Sequence, residues 1–240
     1  MTEKSNNDIR RLLNIVTAII GLIITAPLMA LIAIIIKLTS RGPIIYKQVR
    51  VGINRRSLYS PNRSYTDRRK LRRPLLESVD RRNDWYVAGR HRRENNTGGI
   101  LFTMYKFRTM TVGTAAEQWA KREDPRVTSV GRILRKFRLD ELPQLYNVLR
   151  GDMNVVGPRP EQVTIFATLR DKVFGYDIRQ RVHPGITGWA QINQSYDTCI
   201  EDVERKIGYD LEYVARASIG YDVKIMMKTI PAVVFKYQGW

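Results

Sequence analysis

The chain has 240 residues and a single cysteine, Cys199. No disulfide can therefore form within it, which fits a reducing compartment. Nothing near Cys199 marks an activated nucleophile, and a buried structural thiol is the expectation. Acidic residues are also scarce, with 23 Asp and Glu against 41 Lys and Arg, for a net charge of +18. So basic a chain seeks anions: nucleic acid, anionic lipid or phosphorylated substrates. Between Leu12 and Ile36 there is no charged side chain at all. The length suits one domain with an appendage.

The almost entirely apolar run 12–38, which contains that uncharged stretch, is long enough to be a membrane segment. A cleaved signal peptide does not fit, because the run is too long and no small-residue cleavage site leads into a polar mature start. Pro27, after Ala26, falls near its middle and removes a helical hydrogen bond. Lys4, Arg10 and Arg11 precede the run, and Lys37 and Arg41 follow it. If basic flanks stay cytoplasmic, both ends lie on one side. A helix–break–helix hairpin at Ala26-Pro27, dipping into one leaflet, satisfies both observations; a kinked span is the alternative.

Two short amphipathic helices with an acidic pair between them follow from DPRVTSVGRILRKFRLDELPQLYNVLRGDMNVVGPRPE, residues 124–161. Val130, Ile133, Leu134 and Phe137 recur at helical spacing, with Thr128 or Ser129 as the cap. Leu142, Leu145, Tyr146 and Leu149 form a second apolar face, ended by Gly151. Asp140 stands where the N-cap of that second helix is expected, and Pro143 falls in its first turn. A helix N-terminus favours anions and phosphates. An ionised carboxylate there, near Arg135 and Arg138, can be a nucleophile toward phosphorus. Glu141 beside it can hold a divalent cation, since Mg²⁺ takes one or two carboxylates plus substrate phosphates. The plainer reading of the pair is a helix cap and a dipole partner.

Upstream, ILFTMYKFRTM is β-prone, and Lys106 and Arg108 lie two apart, on one face of a strand. Together they can neutralise a diphosphate. Downstream, Pro158 and Pro160 fix the backbone around Arg159, which aims its guanidinium. His183, before Pro184-Gly185, reads as a structural histidine. Residues 162–181 read as a helix plus connector. A helix over 202–213 carries Val203, Ile207 and Leu211. Asp222 can cap a last helix with Val223, Met226, Met227 and Ile230 on one face, interrupted at Pro231. Aromatic and basic residues near the C-terminus favour a headgroup zone.

LDELPQLYNVLRGDMNVVGPRP, preceded by YKFRTM and followed by HPGITGWAQIN, resembles the bacterial sugar transferase family. These are monotopic phosphoglycosyl transferases. The resemblance covers nearly the whole chain except roughly residues 57–96. It implies an α/β, mostly helical, membrane-associated monotopic fold: a cytosolic N-terminus at 1–11, a re-entrant membrane helix at 12–38, and a small catalytic core at 39–56 and 97–217. An interfacial segment follows at 218–240. It also implies transfer of a sugar 1-phosphate from a UDP-sugar to undecaprenyl phosphate with release of UMP, Asp140 forming the covalent intermediate. The implied cofactor is Mg²⁺ at Glu141 and Asp140. Lys106, Arg108, Arg135, Pro158, Arg159, Pro160, Arg181 and Asp210 are carried over as substrate-side residues. HPGITGWAQIN supplies a strand and loop near the site. The expected partners are membrane lipid and downstream glycosyl transferases, with no nucleic acid, at the cytoplasmic face of the bacterial inner membrane. The family's re-entrant helix carries a Ser-Pro break, where this chain has Ala26-Pro27. Many members also have an arginine shortly after the position of Asn193, where this chain reads Gln194-Ser195-Tyr196, a departure that can reflect a different sugar; glucose or galactose is expected.

The arginine-rich insert at 57–96, with pairs such as Arg68-Arg69 and Arg92-Arg93, reads as a solvated basic loop or a dock for anionic headgroups. It keeps open a membrane-tethered nucleic-acid-binding protein as a competing class. A metal-dependent glycosyl transferase releasing UDP ranks behind, since the chain has no Asp-x-Asp pair.

Overall fold

The structure, a computed structural model, describes residues 3–54, 98–111, 124–194, 197 and 199–235. The basic insert at 57–96, residues 112–123 (whose sequence reads as a linker plus a short helix around Trp119), Ser195-Tyr196 and the last five residues lie outside the described residues. Seven α-helices are seen among the described residues: α1 (Glu3–Thr39), α2 (Ser129–Lys136), α3 (Gln144–Arg150), α4 (Val163–Lys172), α5 (Trp189–Asn193), α6 (Ile200–Arg216) and α7 (Ile219–Phe235). The strands are β1 (Ile45–Val51), β2 (Leu101–Phe107), β3 (Asn154–Val156) and β4 (Gly185–Thr187), pairing as β1-β2 and β3-β4. The chain divides into two compact units, 1–47 with 105–155 and 218–240, and 48–104 with 156–217.

In the first unit α1 is continuous through Pro27. The expected helix–break–helix is therefore one helix. A proline inside a helix removes one N–H and strains one turn, which the flanking apolar turns bridge without losing helical backbone. α1 is the one helix among the described residues long and apolar enough to cross a membrane. At 37 residues it would run about 55 Å if straight, well beyond the about 30 Å of a hydrocarbon core.

The two faces of α1 differ. Asn14, Ala18, Ile32 and Ile36 are buried, and Ile32 and Ile36 pack with Phe107 and Leu134. Leu12, Val16, Ile19, Ile23, Leu31, Ile34 and Leu38 are exposed at helical spacing, with Ile23 at 70% and Ile24 at 71%. An apolar stripe of that length facing outward is not the surface of a water-soluble helix.

Both ends of α1 are fastened within this unit. Arg10 donates through Nε and Nη2 to Asp222, at 3.0 and 2.9 Å. Arg11 donates to the carbonyls of Val148 and Leu149, at 2.6 and 2.7 Å, closing the C-terminal end of α3. Asn14 Oδ1 accepts from Val155 N–H at 2.6 Å. At the other end Arg108 donates to Ser40 O and Oγ, at 2.8 and 2.7 Å, and to Arg41 O.

α7 is also continuous through Pro231, so the expected interruption there is absent. Asp222 is buried against Arg10 rather than acting as a cap, while Ser218 Oγ accepts from Tyr221 N–H at 3.3 Å. Ile225 is buried, and Val223, Met227 and Ile230 face outward.

The second unit has its own core, Val51, Leu101, Phe166, Leu169, Val173, Tyr176, Val203 and Ile207. α4 and a 3-10 turn, Tyr176–Arg181, supply the expected helix and connector. ITGWAQIN forms the end of β4 and then the short helix α5, where a strand and loop were expected; the chain enters that helix from extended backbone at Gly188. Cys199 is exposed at the start of α6, not buried. A hydrogen bond with Glu201 raises its thiol pKa, so it is not an activated thiolate.

Candidate active site

Asp140 and Glu141 lie in a 3-10 turn, Leu139–Glu141, one step before α3. Asp140 is therefore not the N-cap of α3; Pro143 occupies that position without a side-chain cap. The reason lies at Arg138. Its backbone is left-handed, φ 55° and ψ 22°, the only non-glycine positive φ among the described residues. That reversal ends α2 and folds the next three residues into a tight turn. α2 itself begins as expected, with Thr128 Oγ1 accepting from Gly131 N–H at 2.9 Å. Its apolar stripe is split, however: Leu134 is buried, while Ile133 and Phe137 are exposed.

The acidic pair is buried, Asp140 at 8% exposure and Glu141 at 6%. Among the described residues, Lys106 Nζ at 3.5 Å and Arg138 Nη1 at 3.8 Å face Glu141 Oε1. Lys106 thus reaches the acidic turn from β2. Arg108 does not join it, because its guanidinium holds the end of α1. The two side chains expected to share a task on one strand face are divided between two tasks. Arg135 donates from Nε to Thr109 Oγ1 at 2.9 Å. The close approach behind that bond depends on Gly131, where a Cβ would lie 2.1 Å from Thr109 O.

Behind the turn, the inward face of α3 is partly polar, with Gln144 and Asn147 buried beside Val148. Tyr146 is exposed. Asn147 Oδ1 accepts from Tyr105 N–H at 3.1 Å and its Nδ2 donates to Asp152 at 3.0 Å. Asn147 thereby ties α3 to β2, the strand that carries Lys106.

The second unit holds the Pro158-Arg159-Pro160 segment. Every carbonyl from Pro158 to Glu161 has a donor. Pro158 O accepts from Gly185 N–H at 2.9 Å and Glu161 O from Val51 N–H at 3.0 Å. Arg159 O accepts from Arg179 Nη2 at 2.9 Å and Pro160 O from Arg50 Nη1 at 3.1 Å. The segment lines an open cleft with Arg179, Gln180 and Pro184.

Beside it lies a cluster of buried charges. Arg179, 4% exposed, pairs with Asp210 at 2.7 Å and Glu161 at 3.4 Å, and Tyr176 Oη receives its Nη1 at 3.0 Å. Lys206 Nζ lies 3.0 Å from Glu161 and also pairs with Asp197. Burial pushes the Glu161 carboxyl up, but the charges of Lys206, Arg179 and Arg50 outweigh it and hold the pKa at about 2. Burial raises Asp210 above its usual value, with Arg179 and Lys206 pulling against it. Asp210 therefore faces Arg179 within the protein, and Arg181 is an exposed residue at the end of the 3-10 turn. Arg179, Glu161 and Lys206 were not legible as a cluster; the only sequence signal was the basic stretch Arg179-Gln180-Arg181.

Among the described residues no group of three or more His, Cys, Asp or Glu side chains is arranged to hold a metal ion. Two adjacent buried carboxylates nonetheless suit Mg²⁺, which completes its shell with water and substrate phosphate oxygens.

The sequence profile of the bacterial sugar transferases matches residues 5–72 and 75–236. The chain belongs to the bacterial sugar transferase family. The chain is 35% identical over 234 residues to an undecaprenyl-phosphate glucose phosphotransferase of Komagataeibacter xylinus, covering 94% of the chain and 36% of that relative. It is 34% identical to a UDP-N-acetylgalactosamine-undecaprenyl-phosphate N-acetylgalactosaminephosphotransferase of Aeromonas hydrophila, covering 94% of the chain and 44% of the relative. A similar protein of closer length, the exopolysaccharide production protein ExoY of Sinorhizobium fredii, is 33% identical across 93% of the chain and 84% of itself. The chain thus spans less than half the length of the first two relatives.

Proposed function

We propose that this sugar transferase moves a sugar 1-phosphate from a UDP-sugar to undecaprenyl phosphate, releasing UMP. The observation that carries the reading is the buried Asp140-Glu141 turn, faced by Lys106 and Arg138, in a chain of this family. An Asp140 carboxylate oxygen attacks the β-phosphorus of the donor. The bond from that phosphorus to the bridging oxygen breaks, UMP leaves with the electron pair, and a sugar phosphate remains on the carboxylate. An oxygen of the lipid phosphate then attacks the same phosphorus, the acyl–phosphate bond breaks, and Asp140 returns to its carboxylate. One phosphoanhydride is lost and one gained, so the equilibrium lies near balance.

Lys106 and Arg138 set the charge around Glu141, and Arg135, Arg159 and Arg181 are assigned to the phosphates and nucleotide. Glu141 with Asp140 would hold Mg²⁺, whose charge offsets the repulsion between an anionic nucleophile and an anionic diphosphate. Two relatives carry the names of different sugars, glucose and N-acetylgalactosamine, so the proposal names the reaction and leaves the sugar to a donor screen.

The topology we propose is monotopic, in one leaflet of the bacterial inner membrane from its cytoplasmic side. Both ends of α1 fasten to the same unit, and its exposed apolar stripe runs along its length, which supports entry into a membrane without crossing it. The exposed Val223, Met227 and Ile230 of α7 add apolar surface of the same kind. Downstream glycosyl transferases are proposed as partners that consume the lipid-linked product.

Asp140→Asn tests the chemistry. The variant should retain less than a thousandth of wild-type UMP release and form no covalent adduct with labelled UDP-sugar; substantial transfer by this variant refutes the nucleophile. Labelling tests the topology. Single cysteines replacing Asp8 and Thr39, in a Cys199→Ser background in inside-out vesicles, should both react with an impermeant maleimide. Protection of one alone refutes the monotopic reading.

A further inference from the structure

Arg159 is pre-aimed by more than its two prolines. All four carbonyls from Pro158 to Glu161 are held, two of them by backbone amides and two by arginine side chains. Of the two arginines, Arg179 makes the more demanding set of contacts. Its planar fork meets Arg159 O, Asp210, Glu161 and Tyr176 Oη at once, and the Tyr176 ring lies against its guanidinium at 5.2 Å. A lysine has one nitrogen and cannot reproduce that fork. Burying such a cluster brings little net stability, because desolvation offsets the attraction between the charges. Stability alone therefore does not explain the cluster, and the backbone atom that Arg179 holds among the described residues is the carbonyl of Arg159.

We propose that Arg179 is a positioning residue for the donor substrate: it fixes the peptide that follows Arg159, and so fixes where the Arg159 guanidinium points. Asp210 and Glu161 act through it, as counter-charges that orient the fork, and Lys206 steadies Glu161 from the other side. This gives Asp210 a part in the site without contact to substrate. The inference rests on the proposed role of Arg159 at the UDP-sugar.

The test is a double-mutant cycle on Arg179→Lys and Arg159→Ala, read as the KM for UDP-sugar in UMP release by the full chain in detergent or nanodiscs. Arg179→Lys should raise KM tenfold or more and leave kcat within about threefold, the signature of lost binding that is uniform along the reaction path. In the Arg159→Ala background the same substitution should raise KM less than twofold further, because the residue it positions is gone. A purely structural role would give equal losses in both backgrounds. Should Arg179→Lys fail to accumulate, Asp210→Asn, which keeps the arginine but loosens its orientation, must show the same background dependence. Equal losses in the two backgrounds, or an unchanged KM, overturn the inference while wild-type turnover stands. A wild-type chain that neither binds nor turns over any UDP-sugar overturns the proposed function, and the inference with it.

Discussion

Arg138 offers a test in which geometry reverses the usual ranking of two substitutions. In ordinary helical backbone, glycine is less favourable than alanine by about 1 kcal/mol. At Arg138, with φ 55°, the ranking should invert. A residue with a Cβ pays roughly 1–2 kcal/mol to adopt the left-handed conformation, and glycine does not. Glycine's extra freedom in the unfolded chain returns roughly 0.5–1 kcal/mol of that difference. The net expectation is that Arg138→Gly is more stable than Arg138→Ala by about 1 kcal/mol. Both variants lose the same side chain, so its ion pair with Glu141 at 3.8 Å cancels from the comparison. In a chain of this size the difference corresponds to a Tm gap of about 2–4 °C, measurable by thermal unfolding in one detergent. If the alanine variant is equal or more stable, the turn that presents Asp140 is not left-handed at Arg138. Turnover should behave differently. Both variants remove one of the cations facing Glu141 and should lose activity to the same degree, and Arg138→Lys should recover part of it. Activity that followed the stability ranking would mean that the side chain does nothing for the reaction.

Gly131→Ala should cost about 1–3 kcal/mol, the range for overpacking, because its Cβ would fall 2.1 Å from Thr109 O. Moving α2 away should also break the Arg135–Thr109 bond, so transfer should fall further than stability alone explains; a variant with wild-type unfolding and turnover refutes the packing. Glu161 predicts a pH dependence. Its folded pKa, about 2, lies below the ordinary 4.5, so its contribution is complete above pH 4.5 and is lost as pH falls toward 2. That contribution is at most on the order of 3 kcal/mol, at 1.36 kcal/mol per pKa unit, and protonation of Asp210 works against the loss. Glu161→Gln should flatten the acid limb of the stability curve; an unchanged limb would mean Glu161 is not held ionised by its neighbours.

What could be read in advance followed contiguous chain. The start of α2 at Thr128, the glycine that ends α3 at Gly151 and the apolar face of α6 are each decided within a turn or two of sequence, and each is found. Proline was over-read at 27 and 231, because a local rule about one missing hydrogen bond does not weigh the apolar turns on either side. Which way the apolar faces of α3 and α7 turn was not legible for a related reason. A periodic stripe marks an apolar face but not its direction, and Tyr146, Met227 and Ile230 lie on the outer side. For a membrane-associated chain that ambiguity is expected, since lipid and protein core both accept apolar side chains.

Charge partners were the part least available from sequence, and they matter most for the proposed chemistry. Arg10 and Asp222, or Arg179 and Asp210, carry no local mark of pairing. Lys106 and Arg108 illustrate the limit. Their spacing on a strand predicted one shared task, yet one faces the acidic turn and the other closes the end of α1. A net charge of +18 supports an affinity for phosphates in general, but it does not say which cations are already committed within the protein. Arg10, Arg11, Arg108 and Arg179 hold backbone carbonyls or buried carboxylates. Substituting any of these four should therefore act through the position of another group, whereas substitution of Lys106 should act directly on the charge at Glu141. A mutational map of this protein that ranked arginines by sequence motif alone would confuse the two kinds, and comparing KM shifts with unfolding shifts for each would separate them.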